Sequence, residues 1–315
     1  MNHAGMSFCH AMDQVHALNA PFCFVLSVMN AMPLTAVVNY FNSHLGDFNR
    51  AAGLSESACF RYDAGQSRIT GEIDGITLIP RQHALYNNEV SAPVAYESWL
   101  EITDGNGDKL NSRSLYFSAW EPEDVIFLDR FLRVLHTLNH LATHPDPERA
   151  GVPLILDIHW RHVRAVEASH GQVFENLLAQ LGIKPAQIIL RMEARALVED
   201  EHVRRAVESF EARGYRLLVE GLPIDHAHWQ LLGQMGVSWV AADPDFLKAM
   251  VRNRTLQARL DQWVASAHAE GLKVWLQSLD NARALELAWR LQADAVSGDE
   301  LDEIAANTTA KTPSA

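Results

Sequence analysis

From Pro153 to Val296, short runs of Val, Ile and Leu alternate with stretches whose apolar residues recur every three or four positions. The first kind of pattern predicts strands and the second amphipathic helices. Strands are expected at Pro153–His159, Gln187–Met192, Tyr215–Val219, Val237–Ala241, Leu272–Gln277 and Ala293–Val296. Helices fall between them at Val173–Leu181, Glu201–Arg213, His228–Met235, Leu256–Glu270 and Ala282–Gln292. Gly214, Gly236 and Gly271 stand where helices stop. Strands that are apolar almost throughout belong to a parallel sheet covered on both faces. Five such repeats, with more strands upstream, imply an α/β chain whose sheet closes into a (β/α) barrel of the TIM type.

Upstream, Gly75–Ile79, Val94–Ile102 and Ser114–Trp120 are expected as strands, with a turn at Asp104–Gly107 and a helix over Val125–Leu141. The barrel is assigned to residues 71–305 and a polar, disordered tail to 306–315. Residues 1–70 form a small, mostly helical N-terminal segment of unassigned role. Within it Leu34, Val37, Val38, Phe41, Leu45 and Phe48 fall on one side of a helix over Leu34–Arg50. That side is expected either to pack on the barrel or to form a homodimer.

Composition narrows the setting. Hydrophobic residues are 48% of 315 and the formal net charge is −13. An acidic surface without a basic cluster argues against nucleic acid as a partner. Cys9, Cys23 and Cys59 suit neither a disulfide framework nor a zinc site and fit a cytoplasmic location. The apolar run Phe22–Met32 has no Lys or Arg before it and is flanked or interrupted by Pro21, Asn30 and Pro33. It reads as a buried element, with membrane contact the lesser reading.

Ligands of such a barrel meet the C-terminal ends of its strands. Those positions here hold Glu97, Asp157, His159, Arg191, Glu193, Glu220, Asp243, Gln277 and Ser297. Carboxylates converging from several strands are the donor type that hard divalent cations take.

On these residues the chain resembles the EAL-family phosphodiesterases, which open cyclic di-GMP with two metal ions at a barrel mouth. Tyr96-Glu97-Ser-Trp99 lies on the signature strand, Leu154-Ile-Leu-Asp157 on the Asn-bearing strand and Arg191-Met-Glu193-Ala194 on the E-I-T-E strand. Glu220-Gly221 falls on the paired aspartates, Ala241-Ala-Asp243 on K-I-D, and Gln277 on the last Glu. The resemblance implies an EAL-type modified barrel and a metal site whose donors would be Glu97, Asp157, Glu220 and Asp243, taking Mg²⁺ or Mn²⁺. It also implies that this site is degenerate. A guanidinium at Arg191 cannot ligate a cation, and Gly221, Ala241 and Gln277 replace a bridging carboxylate, the water-activating lysine and a further carboxylate. Six residues, Glu97, Asp157, Arg191, Glu220, Asp243 and Gln277, are expected as a vestigial mouth, with Arg191 replacing the cation and pairing with Glu97 or Glu220. Glu101 stands where the family has a phosphate-binding arginine, leaving Arg81 or Arg191 as the nearby substitutes.

The expected function is that of a catalytically inactive regulator in bacterial cyclic-di-GMP-related signalling, acting on a protein partner, with dinucleotide binding weak or absent. A non-hydrolysing receptor and a phosphodiesterase with an altered metal set are the rivals. The pairs His159/His162 and His226/His228 are expected at loops or helix starts rather than on a metal. Trp160, Trp229, Trp239 and Trp275 are expected in packing, with an exposed patch as the second reading.

Overall fold

The computed structural model describes residues 34–301, leaving out residue 50 and positions 88–89, 91, 113–114, 167–170, 226–227, 251–252, 278, 280–281 and 299–300. Phe22–Met32, Cys9, Cys23, His226 and the 306–315 tail lie outside the described residues.

Eight strands close the ring: β3 (Ile76–Tyr86), β4 (Pro93–Thr103), β6 (Leu154–Asp157), β7 (Ile188–Glu193), β8 (Arg216–Leu222), β9 (Trp239–Ala242), β10 (Lys273–Leu276) and β11 (Ala295–Val296). Seven run parallel, while β3 is antiparallel to both β4 and β11. Inward positions alternate along each strand. Leu85, Ala95, Ile155, Ile189, Leu218, Ala241, Trp275 and Ala295 make one interior cluster, with Trp275 fully buried among the smaller residues.

The βα periods appear as predicted, and their helix ends share one device. In α6 (Gln172–Gln180), α8 (Glu201–Ala212), α9 (Trp229–Gln234) and α11 (Arg254–Ala269), a glycine with positive φ follows the cap. The next amide then reaches back five residues, as in Tyr215 N–H to the Phe210 carbonyl at 3.2 Å. The last helix, α12 (Ala282–Arg290), makes the same turn with Gln292 at φ 57°. A side chain there occupies a conformation that costs L-residues energy.

Two expectations upstream change in detail. First, the described part of the segment before residue 71 carries strands as well as helix: after α1 (Leu34–Ser43), Cys59–Asp63 (β1) and Arg68–Ile73 (β2) extend the sheet beside β3. Ile69, Gly71 and Ile73 alternate inward as a strand requires, and Asp74-Gly75, both at positive φ, turn β2 into β3. Gly71 is where α3 (Pro122–Thr143) crosses, since a Cβ there would lie 2.9 Å from Phe131 and Leu135. The apolar side of α1, which stops at Ser43, and Phe48 beyond it are buried in the chain itself, Phe41 and Phe48 meeting Phe60, and Phe48 meeting Phe127 and Phe131. Second, Ser114–Trp120 is not a strand. Its described part is the short helix α2 (Leu115–Ser118), and Arg161 takes the carbonyls of Tyr116, Ala119 and Trp120 that a sheet would have used. The Asp104 turn instead joins β4 to β5 (Lys109–Leu110), with the Asp104 carboxylate accepting from the Asn106 and Asp108 amides.

Candidate functional site at the barrel mouth

Two residues beyond the apolar interior cluster, the same inward register carries the polar mouth. Glu97 follows Ala95, Asp157 follows Ile155, Arg191 follows Ile189 and Glu220 follows Leu218. Asp157 and Arg191 are register partners on adjacent strands.

The Arg191 guanidinium sits among these carboxylates. Its Nη1 donates to Glu97 Oε1, its Nε to Asp157 Oδ1 at 2.5 Å, and Nη1 lies 3.5 Å from Glu220 Oε2. Side-chain exposure is 10% for Arg191, 16% for Glu97, 30% for Glu220 and 62% for Asp157. Burial opposes the charge on Arg191, but Asp157, Glu220 and Glu97 outweigh it and hold its pKa well above the ordinary value. Glu220 moves the other way. Burial lifts its pKa, with Asp157, Glu97 and Glu193 adding to the lift and Arg191 opposing it. Trp275 lies beneath the guanidinium, 6.0 Å from ring centroid to Cζ.

The remaining predicted positions are not drawn into this contact. Asp243 accepts the Asp245 amide at 2.8 Å and starts α10 (Pro244–Met250) from an exposed position. Gln277 is buried at the end of β10, and Ser297 accepts from Trp275 Nε1 at 3.0 Å. Gly221 has φ +70° where the β8–β9 register shifts, so Glu220 and Gly221 form a bulge rather than a pair of side chains facing one way. Arg81 is bound to Glu101 at 2.9 Å, and Lys109 meets the other oxygen at 3.0 Å. Hydrogen bonds from Lys109 and then Arg81 hold Glu101 below the usual carboxylate range.

The family's divalent ions do not fit this arrangement. Glu97 and Asp157 point their oxygens at a guanidinium, which would repel a cation at the same spot. Among the described residues no group of three or more His, Cys, Asp or Glu has an arrangement that could hold a metal. His159 caps α5 (Trp160–Ala165), its Nδ1 accepting from the Arg161 amide at 3.3 Å, and stacks on Tyr116.

A cavity of about 620 Å³ opens from the tips of β6, β7 and β8 toward α2, α3 and α5. Arg133 in its wall belongs to a polar group that the sequence patterns did not single out. Asp129 on α3 binds Arg133 through Oδ2 and accepts the His159 amide at 3.0 Å through Oδ1, while Arg133 Nη2 lies 3.3 Å from His162 Nε2. Although burial opposes it, Arg133 and His162 hold Asp129 below the usual carboxylate range. A signal was present: Asp129, Arg133, His136 and His140 recur at helical spacing among Phe127, Phe131, Leu135 and Leu138, so their face has to be buried. Trp160, expected in packing, is exposed at the rim with Arg164 over its ring.

Known structures share this architecture at low identity. The EAL enzyme Bd1971 in its cAMP-bound form aligns with TM-score 0.59 and 14% identity over 73% of this chain and 66% of that one, just under two thirds of its length. The PaMucR phosphodiesterase in complex with c-di-GMP gives 0.60 and 14% over 71% and 90%. The FimX EAL domain from Pseudomonas aeruginosa bound to c-di-GMP gives 0.60 and 11% over 70% and 88%. No curated protein matches the chain. Residues 71–303 match the EAL domain model, a span that takes in all eight barrel strands and the end of β2, and the chain belongs to the EAL domain family.

Proposed function

We propose that this chain is an EAL barrel that regulates a protein partner in cyclic-di-GMP-related signalling without hydrolysing the dinucleotide. The observation that carries the reading is the placement of Arg191, whose guanidinium takes up Glu97 and Asp157 and lies beside Glu220. A two-metal displacement needs both ions about 3.5–4 Å apart on free carboxylates, and these carboxylates are engaged with a cation already. Dinucleotide capture is disfavoured by the same reasoning, because Arg81, the spare phosphate-binding candidate, is spent on Glu101. The PaMucR phosphodiesterase and the FimX EAL domain, both solved with c-di-GMP, resemble this chain in fold at 14% identity or less.

The test is calorimetric titration of the full chain with cyclic di-GMP in Mg²⁺ and in Mn²⁺, with chromatographic product analysis of the same samples. Neither heat nor product is expected. Heat without product would make the chain a receptor, and linear product would restore a phosphodiesterase; either result overturns the reading.

A further inference from the structure

Aromatic and polar side chains converge on the cavity beside the mouth from neighbouring strand ends. In the ring β4, β6, β7 and β8 follow one another. Trp99 on β4, Trp160 at the start of α5, Glu193 at the end of β7 and Glu220 on β8 all line the cavity. Among the described residues five large apolar side chains are exposed, and three of them are indoles of this sector: Trp99 at 39%, Trp160 at 40% and Trp120 at 80%. Trp120 stands beside the lining, its carbonyl accepting from Arg161 at 3.3 Å. Trp99 and Trp160 keep their exposure although His83 lies alongside the first, and His159 and Arg164 alongside the second. Apolar side chains exposed singly need no cause, but indoles gathered at one cavity mark a binding place.

The charge of the lining favours neither sign. Arg133, Arg161 and Arg191 stand against Asp157, Glu193 and Glu220, which leaves no net charge. Each guanidinium is engaged, Arg133 by Asp129, Arg191 by Glu97 and Asp157, and Arg161 by three backbone carbonyls. Burial lowers the pKa of His159, and that of His136 to about 4, so neither histidine adds charge near neutrality. A charged ligand would lose its hydration here without a net countercharge. The ligand that fits is neutral, donates hydrogen bonds and presents an apolar face.

Sugar rings have these properties together. Glu193 is exposed and forms no hydrogen bond or ion pair with another described residue. An ionised carboxylate only accepts, through two oxygens, and so matches a pair of hydroxyls on adjacent ring carbons. The C–H bonds of a pyranose with equatorial substituents point above and below the ring with slight positive charge, and meet the negative face of an indole. A volume of about 620 Å³ is in the range that takes such ligands.

We propose that this cavity binds a neutral oligosaccharide of flat pyranose rings, which stack on Trp99 and Trp160 while ring hydroxyls donate to Glu193. The site is independent of whether the barrel acts on a protein partner.

The full chain is titrated calorimetrically with cellotetraose and, separately, with the tetramers of β-1,4-linked glucosamine and glucuronic acid, which share its linkage and carry opposite charges. Cellotetraose is expected to bind with a Kd between about 10 μM and 1 mM, and both charged tetramers at least about tenfold weaker. Trp99→Ala and Trp160→Ala should each weaken cellotetraose about fivefold to tenfold, and Glu193→Ala about fivefold. Trp289→Ala removes an indole of similar exposure, 38%, from α12 outside this lining and should leave the affinity unchanged. No heat from cellotetraose with the chain folded, equal or tighter binding of either charged tetramer, or an affinity indifferent to both cavity indoles would overturn the proposal. So would displacement of cellotetraose by micromolar cyclic di-GMP, which would give the cavity to the nucleotide.

Discussion

Replacing Arg191 by Met removes the cation from the barrel mouth while keeping a side chain of similar reach. Glu97, 16% exposed, and Glu220, 30% exposed, then face each other with no positive charge between them. Removing one partner of a buried ion pair costs about 3–5 kcal/mol. Asp157 is 62% exposed, so solvent compensates most of its share and it adds at most about 1 kcal/mol. The expected loss near pH 7.5 is therefore about 3–6 kcal/mol, or roughly 6–12 °C in melting temperature at ~2 °C per kcal/mol for a chain of this size. The sign with pH follows from linkage. In the variant both carboxylates acquire folded-state pKa values above their unfolded ones, so the folded state binds protons more readily and stability falls as pH rises. The deficit should be largest above neutrality and shrink toward pH 5. Urea unfolding of Arg191→Met and Arg191→Lys across pH 5–8 measures it, with Lys restoring part of the loss. A deficit below about 1 kcal/mol, or one independent of pH, would refute the assignment of Arg191 as the stand-in cation.

Three further outcomes are expected. His136 and His140 are buried with pKa values lowered to about 4, so each contributes stability that is full above pH 6.5 and lost as pH falls toward 4. The contribution is on the order of 3 kcal/mol apiece as an upper bound, and His136→Gln should flatten the acid limb of urea midpoint against pH. Gln292→Gly should stabilise by about 0.5–1 kcal/mol, because the residue sits at φ 57°; calorimetric unfolding showing no gain would count against strain there. Gly71→Ala should destabilise by about 1–3 kcal/mol through overpacking against Phe131 and Leu135, seen as a lower urea midpoint with unchanged slope.

The parts of the molecule legible in the sequence are those whose cause is local. From Pro153 onward each strand is a short apolar run and most helices end at a glycine, so period and boundaries could be read directly. The Arg191 cluster was legible because inward register is a parity rule: once Ile155 and Ile189 are inside, so are Asp157 and Arg191. The misses have tertiary causes. Ser114–Trp120 has a strand-like apolar and aromatic content, and only Arg161, far along the chain, decides that its carbonyls face a guanidinium. The strand β3 was expected to stop at Ile79, since Pro80 and the polar Arg81-Gln82-His83 interrupt its pattern, yet it runs to Tyr86 against β4. Asp129 and Arg133 have the i,i+4 spacing of a surface pair, and only the apolar residues around them signal the face that β2 and α5 bury.

The closure of the ring has a kinetic consequence. One register pair, Val296 with Tyr86, joins β11 to the reversed strand β3, and these two residues stand near opposite ends of the barrel sequence. Seven parallel strands can therefore assemble by adding neighbours one after another, while the final seam waits for chain segments that meet across the longest loop in the domain. The seam should be the last part to gain amide-exchange protection on refolding and the first to lose it under force or mild denaturant.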